Sequence, residues 1–349
     1  RIRSWTPRSP SGPPATPGPL AHPFWCPPAP SRGLTGENCR PRGRELATMR
    51  KCLLMGRSGS GKSSMRTIIF ASYMARETQR LSATMGIEHS HVGLLGGLVL
   101  NLWDCGGQSR FIESYLETQQ KQVFSSVKVL IFTFDMSEMV EADLQLYENY
   151  LDALSQHSPD AGVFALFHKM DLIDSNEREA VIERSRQMVL ERSRGRQVTC
   201  FGTSIWDETL YKAWSAIVYS LIPQISLLEQ QLQDFARISE AAEVVLFEKS
   251  TFLVVSHVTR VEYPEQHRFE RVSQLMKAFK LGCSRFKAMP HSLFLTNSLF
   301  SALLQEFTTD TLLLVVTGRD VRAPVTRMNV DKARPYFEHF IPRSWDEQG

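Results

Sequence analysis

Between residues 50 and 222 short apolar runs alternate with amphipathic stretches, the pattern of strands each followed by a helix. The runs Lys51–Met55, Leu98–Trp103, Lys128–Phe134, Val163–Phe167 and Val198–Gly202 predict five strands. Between Met85 and Trp103 there is room for a sixth, in an antiparallel hairpin turning at Gly96-Gly97. A helical run is expected over Met65–Ala75. Leu210, Trp214, Ile217, Val218 and Leu221 recur at helical spacing and form an apolar stripe that would pack on a sheet, with Pro223 stopping the helix. Strands alternating with helices imply a mostly parallel six-stranded sheet covered on both faces, an α/β fold.

A second unit follows. Leu228, Leu232, Phe235 and Ile238 make one helical stripe, and Phe269, Val272, Leu275, Met276 and Phe279 another. Val244–Phe247, Thr251–His257 and Thr311–Val316 read as strands. The expected organisation is a first domain over 49–225, an α/β interaction domain over 226–340 and a tail over 341–349. A sheet edge or an apolar helix face would serve such a module for dimerisation, and both stay open.

Composition changes the picture at the N-terminus. Residues 1–48 hold 11 of the 18 prolines and seven Arg against Glu37 and Glu45, a mixture that cannot bury enough apolar surface to order itself. They read as a disordered Pro/Arg-rich tail or as a gene-model extension ahead of Met49. That stretch carries +5 of the formal +3, which leaves residues 49–349 at −2. Charge therefore points to no nucleic-acid partner. The cysteines at 26, 39, 52, 105, 200 and 283 have neither disulfide nor zinc spacing, which fits free thiols in a reducing, cytoplasmic setting. With no apolar run of membrane-spanning length, no C-terminal prenylation box and no myristoylation glycine after Met49, no direct membrane anchor is expected.

The candidate chemistry lies at the carboxyl ends of the strands. Gly56-Arg57-Ser58-Gly59-Ser60-Gly61-Lys62-Ser63 fits the P-loop pattern, directly after a strand and before a helix. Its backbone amides and the following helix N-terminus would cradle the β-phosphate, Lys62 would reach the β- and γ-phosphates, and Ser63 would ligate Mg²⁺, with Ser64 beside it. The Arg57 side chain is expected to face solvent. Asp104-Cys105-Gly106-Gly107-Gln108 has the Asp-x-x-Gly-Gln form, 41 residues after Ser63. Asp104 would hold Mg²⁺ through water, the Gly107 amide would sense the γ-phosphate and Gln108 would orient the attacking water. Thr84, 21 residues after Ser63, stands where a switch threonine closes over Mg²⁺ and phosphate. In His168-Lys169-Met170-Asp171, the Asp171 carboxylate could accept both guanine donors, and the Lys169 stem could lie on the base. Ser204 and Ile205 are placed to support the guanine carbonyl. Ser204 taken alone reads rather as the N-cap of a helix over Trp206–Leu221.

The segment Ser82–Val92, the run Asn101–Gln108, the His168–Asp171 motif and Thr203–Trp214 together resemble Rag GTPases of the A/B type. His168 is then the family's own variant of a motif that in most GTPases carries Asn. The resemblance extends through Glu243–Glu248 and His267–Glu270 and covers about 49–340, with departures at Ala288–Leu303 and Arg319–Met328. It implies a P-loop GTPase domain followed by a roadblock-like domain, Mg²⁺ with GTP or GDP as ligand, and a heterodimer with a C/D-type Rag. It further implies slow hydrolysis completed by an activating protein, with the segments around Thr84 and Gly107–Tyr115 released on γ-phosphate loss. Signalling of amino-acid sufficiency to the TOR kinase complex belongs to the same implication. So does recruitment from the cytoplasm to the lysosomal surface through the Ragulator scaffold, with the nucleus as a further compartment. Two competing readings remain: a nucleotide-binding pseudo-GTPase scaffold without turnover, and an ATP-dependent P-loop enzyme, against which Asp171 argues.

Overall fold

A computed structural model describes residues 49–71, 73–94, 98–108, 118–222, 225–261, 272–273, 276–277 and 292–340. The expectations for residues 1–48, the Gly96-Gly97 turn, the segment 109–115, Pro223, Phe269, Leu275, Phe279 and residues 341–349 lie outside the described residues.

The first unit runs β1 (Met49–Met55), α1 (Lys62–Phe70), a 3-10 turn (Ala75–Arg80), β2 (Ile87–Gly93) and β3 (Val99–Cys105). It continues with α2 (Gln120–Phe124), β4 (Val127–Asp135), α3 (Glu141–His157), β5 (Gly162–His168), α4 (Arg178–Arg192), β6 (Val198–Thr203) and α5 (Thr209–Leu221). The strands lie in the order β2-β3-β1-β4-β5-β6. Only β2 runs antiparallel, against β3, as the hairpin expectation had it. From β1 the sheet grows one way through β3 and the other way through β4, so the carboxyl end of β1 lies at a topological switch point, where open α/β sheets bind ligands.

Neighbouring residues of one strand feed opposite cores. On one face Leu53, Phe132, Phe134 and Phe167 pack against Tyr147, Tyr150 and Leu154 of α3. On the other, Leu54, Ile131 and Leu166 meet Met65 and Ile69 of α1 and Trp214 and Ile217 of α5. Both faces being covered explains why the strands read as continuous apolar runs rather than alternating ones.

Two helices differ from expectation. Helix α1 ends at Phe70 rather than running to Ala75, where the Tyr73 amide folds back onto the Thr67 carbonyl that already accepts the last helical bond from Ala71. Helix α5 begins at Thr209, not Trp206. Ser204 is therefore not its N-cap; the Ser204 hydroxyl donates to Asp171 and accepts from the Trp206 amide in the turn before the helix.

The second unit contains α6 (Ile225–Ile238) and a five-stranded antiparallel sheet: β7 (Glu243–Glu248), β8 (Val254–Thr259), β9 (Ser292–Thr296), β10 (Phe300–Glu306) and β11 (Thr311–Gly318). The strand order is β8-β7-β11-β10-β9, and helix α7 (Ala323–Phe340) closes the described chain. Leu228, Leu232 and Phe235 of α6 join Val330, Ala333 and Phe337 of α7 on one face of this sheet. Thr251–Leu253, expected as strand, forms the turn into β8 instead. Leu253 packs into the core around Trp214, and the Val254 amide donates to Ser215 Oγ of α5 at 3.0 Å, which ties the second unit to the first.

Candidate functional site

The loop between β1 and α1 is shaped by its glycines. Gly59 and Gly61 have φ of 83° and 88°, and a Cβ on Gly61 would stand 2.5 Å from the His168 ring. The loop therefore closes against the end of β5. Lys62 is buried and curls back beneath the loop, donating to the carbonyls of Gly56 (2.8 Å) and Arg57 (2.7 Å). Burial lowers its ammonium pKa to about 8, partly opposed by the Asp104 carboxylate. A buried cation whose acceptors are backbone carbonyls is poised for an anionic ligand, since a phosphate would relieve the desolvation that depresses it.

Arg57 is about one-third exposed, as expected, but its head is also tethered. Its guanidinium donates to the Glu138 carbonyl at 2.9 Å and pairs with the buried Asp143 carboxylate at 3.4 Å, fastening the loop to the segment between β4 and α3. The expectation thus missed the tether to the buried Asp143 carboxylate rather than the exposure itself.

Ser63 Oγ and Thr84 Oγ1 meet at 2.7 Å, so the threonine closes onto the serine across 21 residues of chain. Asp104, at the end of β3, is fully buried. One carboxylate oxygen accepts from Arg66 Nε at 3.0 Å; the other, Oδ1, has no hydrogen-bond partner among the described residues. The buried carboxylate oxygen left open and the two paired hydroxyls are hard oxygen donors of the kind that suits Mg²⁺ and its water shell. Gly107 approaches the loop closely. Its carbonyl accepts from the Ser58 amide at 2.9 Å, and a Cβ on it would fall 2.2 Å from that nitrogen. Gln108 stands next in the chain, its amide donating to the Met85 sulfur at 3.2 Å.

At the ends of β5 and β6 a second cluster forms. Asp171 Oδ1 accepts from Ser204 Oγ at 2.6 Å, which turns this carboxylate toward the β6 end, and Ile205 is half-buried behind Ser204. Lys169 adopts φ of 66° and pairs with Asp135 at 2.5 Å. Burial raises the Asp135 carboxyl, but hydrogen bonds from Lys169 and Ser137 outweigh it and hold it below its ordinary value. The lysine is thus fixed from its far end and its stem spans the gap. His168 is buried, bonded to Thr203 Oγ1 at 2.9 Å, and its pKa is depressed to about 4 by burial, which the Asp171 charge only partly offsets. The ring is neutral and serves as a wall between the two clusters.

The structure thus brings the phosphate-side candidates (Arg57 to Ser64, Thr84, Asp104, Gly107, Gln108) to one end of the sheet and the base-side candidates (His168, Lys169, Asp171, Ser204, Ile205) beside them. Arg66 and Asp135 also belong to the site and were not singled out from the chain, whereas Thr203 stood in the run with Ser204 and Ile205. An acid at the end of β4 and an arginine one helical turn after Ser63 were the available signals. A cavity of about 750 Å³ opens at the amino ends of the strands, near Arg50, Lys128 and Arg196, and is lined by none of these residues.

The buried imidazole gives a pH prediction. Unfolded, His168 takes up a proton near pH 6.5; folded, it resists protonation down to about 4. Stability contributed by the neutral ring is full above pH 6.5 and is lost as pH falls from 6.5 to 4, on the order of 3 kcal/mol. Chemical denaturation across that range should show this loss, and His168→Asn should flatten it; parallel profiles for the two proteins would refute the assignment.

A family model described as the Gtr1/RagA G protein conserved region matches residues 51–276. The Ras-related GTP-binding protein A of Dictyostelium discoideum is 50% identical over 294 residues, which cover 84% of this chain and 98% of that protein. The Ras-related GTP-binding protein B of Rattus norvegicus is 45% identical over 322 residues, 84% of this chain and 86% of its own. The Ras-related GTP-binding protein C of Mus musculus is more distant, at 27% identity over 57% of this chain and 50% of that protein.

Proposed function

The chain belongs to the Gtr1/RagA family of G proteins, and from that premise we propose a guanine-nucleotide switch of the A/B type that hydrolyses GTP. The observation that carries this reading is the convergence of Lys62, the Ser63–Thr84 pair and the open Asp104 oxygen at the end of β1 and β3. Lys62 would exchange its carbonyl partners for β- and γ-phosphate oxygens, and the loop amides would hold the β-phosphate. Ser63, Thr84 and, through water, Asp104 would hold Mg²⁺, which when bound offsets phosphate charge. The Gly107 amide would sense the γ-phosphate. Gln108, released from Met85, would align the attacking water. Asp171 would accept the N1–H and exocyclic amine of guanine, with the Lys169 stem on the base face and Ser204 and Ile205 near the guanine carbonyl.

Arg57 is held by Glu138 and Asp143, and Arg66 by Asp104, Ser90 and Glu88, so neither guanidinium is free for the phosphate. Slow intrinsic turnover completed by a protein activator is part of the proposed reading and rests on family membership. Loss of the γ-phosphate would free Thr84 and Gly107 from their contacts, and that change is the signal.

For the second unit we propose heterodimerisation with a C/D-type Rag. Edge strand β9 exposes Leu293, Phe294 and Leu295, an apolar strand edge of the kind that pairs with another chain. Signalling of amino-acid sufficiency to the TOR kinase complex at the lysosomal surface, through the Ragulator scaffold, rests on family membership.

The test is single-turnover GTP hydrolysis by the full chain co-expressed with a C/D-type partner. Gln108→Leu should slow hydrolysis by about 10²-fold or more while leaving GTP affinity within a few-fold. Tight binding with no turnover in either chain would replace the switch by a non-catalytic scaffold.

A further inference from the structure

Arg66 spends its whole guanidinium on one wall of the site. Its Nε donates to Asp104 Oδ2 at 3.0 Å, one terminal nitrogen donates to Ser90 Oγ at 3.1 Å, and the other pairs with Glu88. The geometry has a simple origin. Arg66 lies three residues after Ser63 on α1, hence on the same helix face. Glu88 and Asp104 are directly paired across the antiparallel β2–β3 ladder, and Ser90 lies two residues along β2, so all three acceptors share the sheet face that meets that helix.

Without the arginine this arrangement would be unfavourable. Two carboxylates directly opposed on neighbouring strands repel, and Asp104 is fully buried. A buried ion pair is a weak contributor to net stability but a strong constraint on geometry. Here it fixes one oxygen of Asp104 and leaves Oδ1 uncommitted. It also ties Asp104 to β2, the strand that the chain enters directly after Thr84. Only a planar fork can reach three acceptors in three directions; an ammonium on a flexible stem would choose among them.

We propose that Arg66 is a positioning residue for the divalent-cation site: by locking Asp104 Oδ2 it presents Oδ1 to the cation's water shell and so sets how tightly the cation holds nucleotide in place. This rests on the switch reading above. With its guanidinium committed to Asp104, Ser90 and Glu88, Arg66 would act through Asp104, as the partners behind metal ligands do, where loss costs about 10- to 100-fold in metal affinity.

The experiment measures release of a fluorescent GDP analogue from the full chain as free Mg²⁺ is varied from millimolar down to excess chelator. In the native protein Mg²⁺ should slow release with a defined midpoint. Arg66→Gln should move that midpoint up by about tenfold, with release in chelator within about twofold of native. Arg66→Lys should give an intermediate midpoint, and Glu88→Gln, which leaves the Arg66–Asp104 bond intact, a native one. An unchanged midpoint in folded Arg66→Gln, or release accelerated equally with and without Mg²⁺, would overturn the proposal, the second result marking a purely structural ion pair. Should Arg66→Gln fail to fold, Arg66→Lys decides, a native midpoint overturning the proposal and a raised one supporting it. A native chain indifferent to Mg²⁺ would instead bring down the switch reading, and the proposal with it.

Discussion

Lys62→Ala is expected to weaken GTP binding by about three orders of magnitude while leaving the fold intact. The Lys62 ammonium is buried, and its partners are carbonyls of its own loop and, more distantly at 3.3 Å, Ser60 Oγ. Burial has already lowered its pKa to about 8, so the folded protein holds this charge at a cost. Phosphate oxygens would return that cost: two charge-assisted hydrogen bonds at about 1.5–3 kcal/mol each account for the predicted loss. GDP, which lacks the γ-phosphate, should lose less than GTP. Removing a poorly solvated cation should leave thermal stability of the nucleotide-free chain unchanged or slightly raised, in contrast to a core truncation such as Trp214→Ala, which would cost about 3–5 kcal/mol. Equilibrium titration with fluorescent GTP and GDP, with a melting curve for each protein, checks both halves. Native-like GTP affinity in the variant would remove Lys62 from the phosphate site.

The first unit was legible because its signals are local. A strand, a glycine-rich turn and a helix start fall within about a dozen residues, and the Trp214 stripe announces one buried face by period alone. What escaped depends on tertiary placement. The pairing of Glu88 with Asp104, and so the place of Arg66, is set by strand register, which no local pattern encodes. The tether on Arg57 was missed because the buried Asp143 that holds it lies 86 residues away in the chain. In the second unit β9 and β10 were not recognised. Strand β9 leaves its apolar residues on a sheet edge, and Ser292–Leu304 reads as mixed apolar and polar positions without a clean period of two. Helix α7 carries Pro335 inside it, a residue that argues against a helix interior when read locally.

Asp171→Asn is expected to lower GTP affinity by about 10²- to 10³-fold and to raise affinity for xanthosine triphosphate. The reasoning is one of donors and acceptors. Guanine presents N1–H and an exocyclic amine on one edge, two donors that a carboxylate can accept together. Asparagine offers one acceptor and one amide donor, so the amine of guanine meets a second donor and both are left unpaired. Xanthine carries an oxygen in place of that amine, and the same asparagine satisfies it. Adenine has an acceptor at N1 and no amine at C2, so neither residue should favour ATP. The substitution preserves the surroundings: the Ser204 hydroxyl, which donates to Asp171 Oδ1 at 2.6 Å, can donate equally to the asparagine oxygen, so the β5–β6 ends keep their geometry. Competition of GTP, xanthosine triphosphate and ATP against fluorescent GDP reads all three affinities in one assay. Unchanged GTP affinity in the variant would mean that Asp171 does not read the base. ATP competing as well as GTP with the native chain would reject the guanine assignment itself, whatever the variant does.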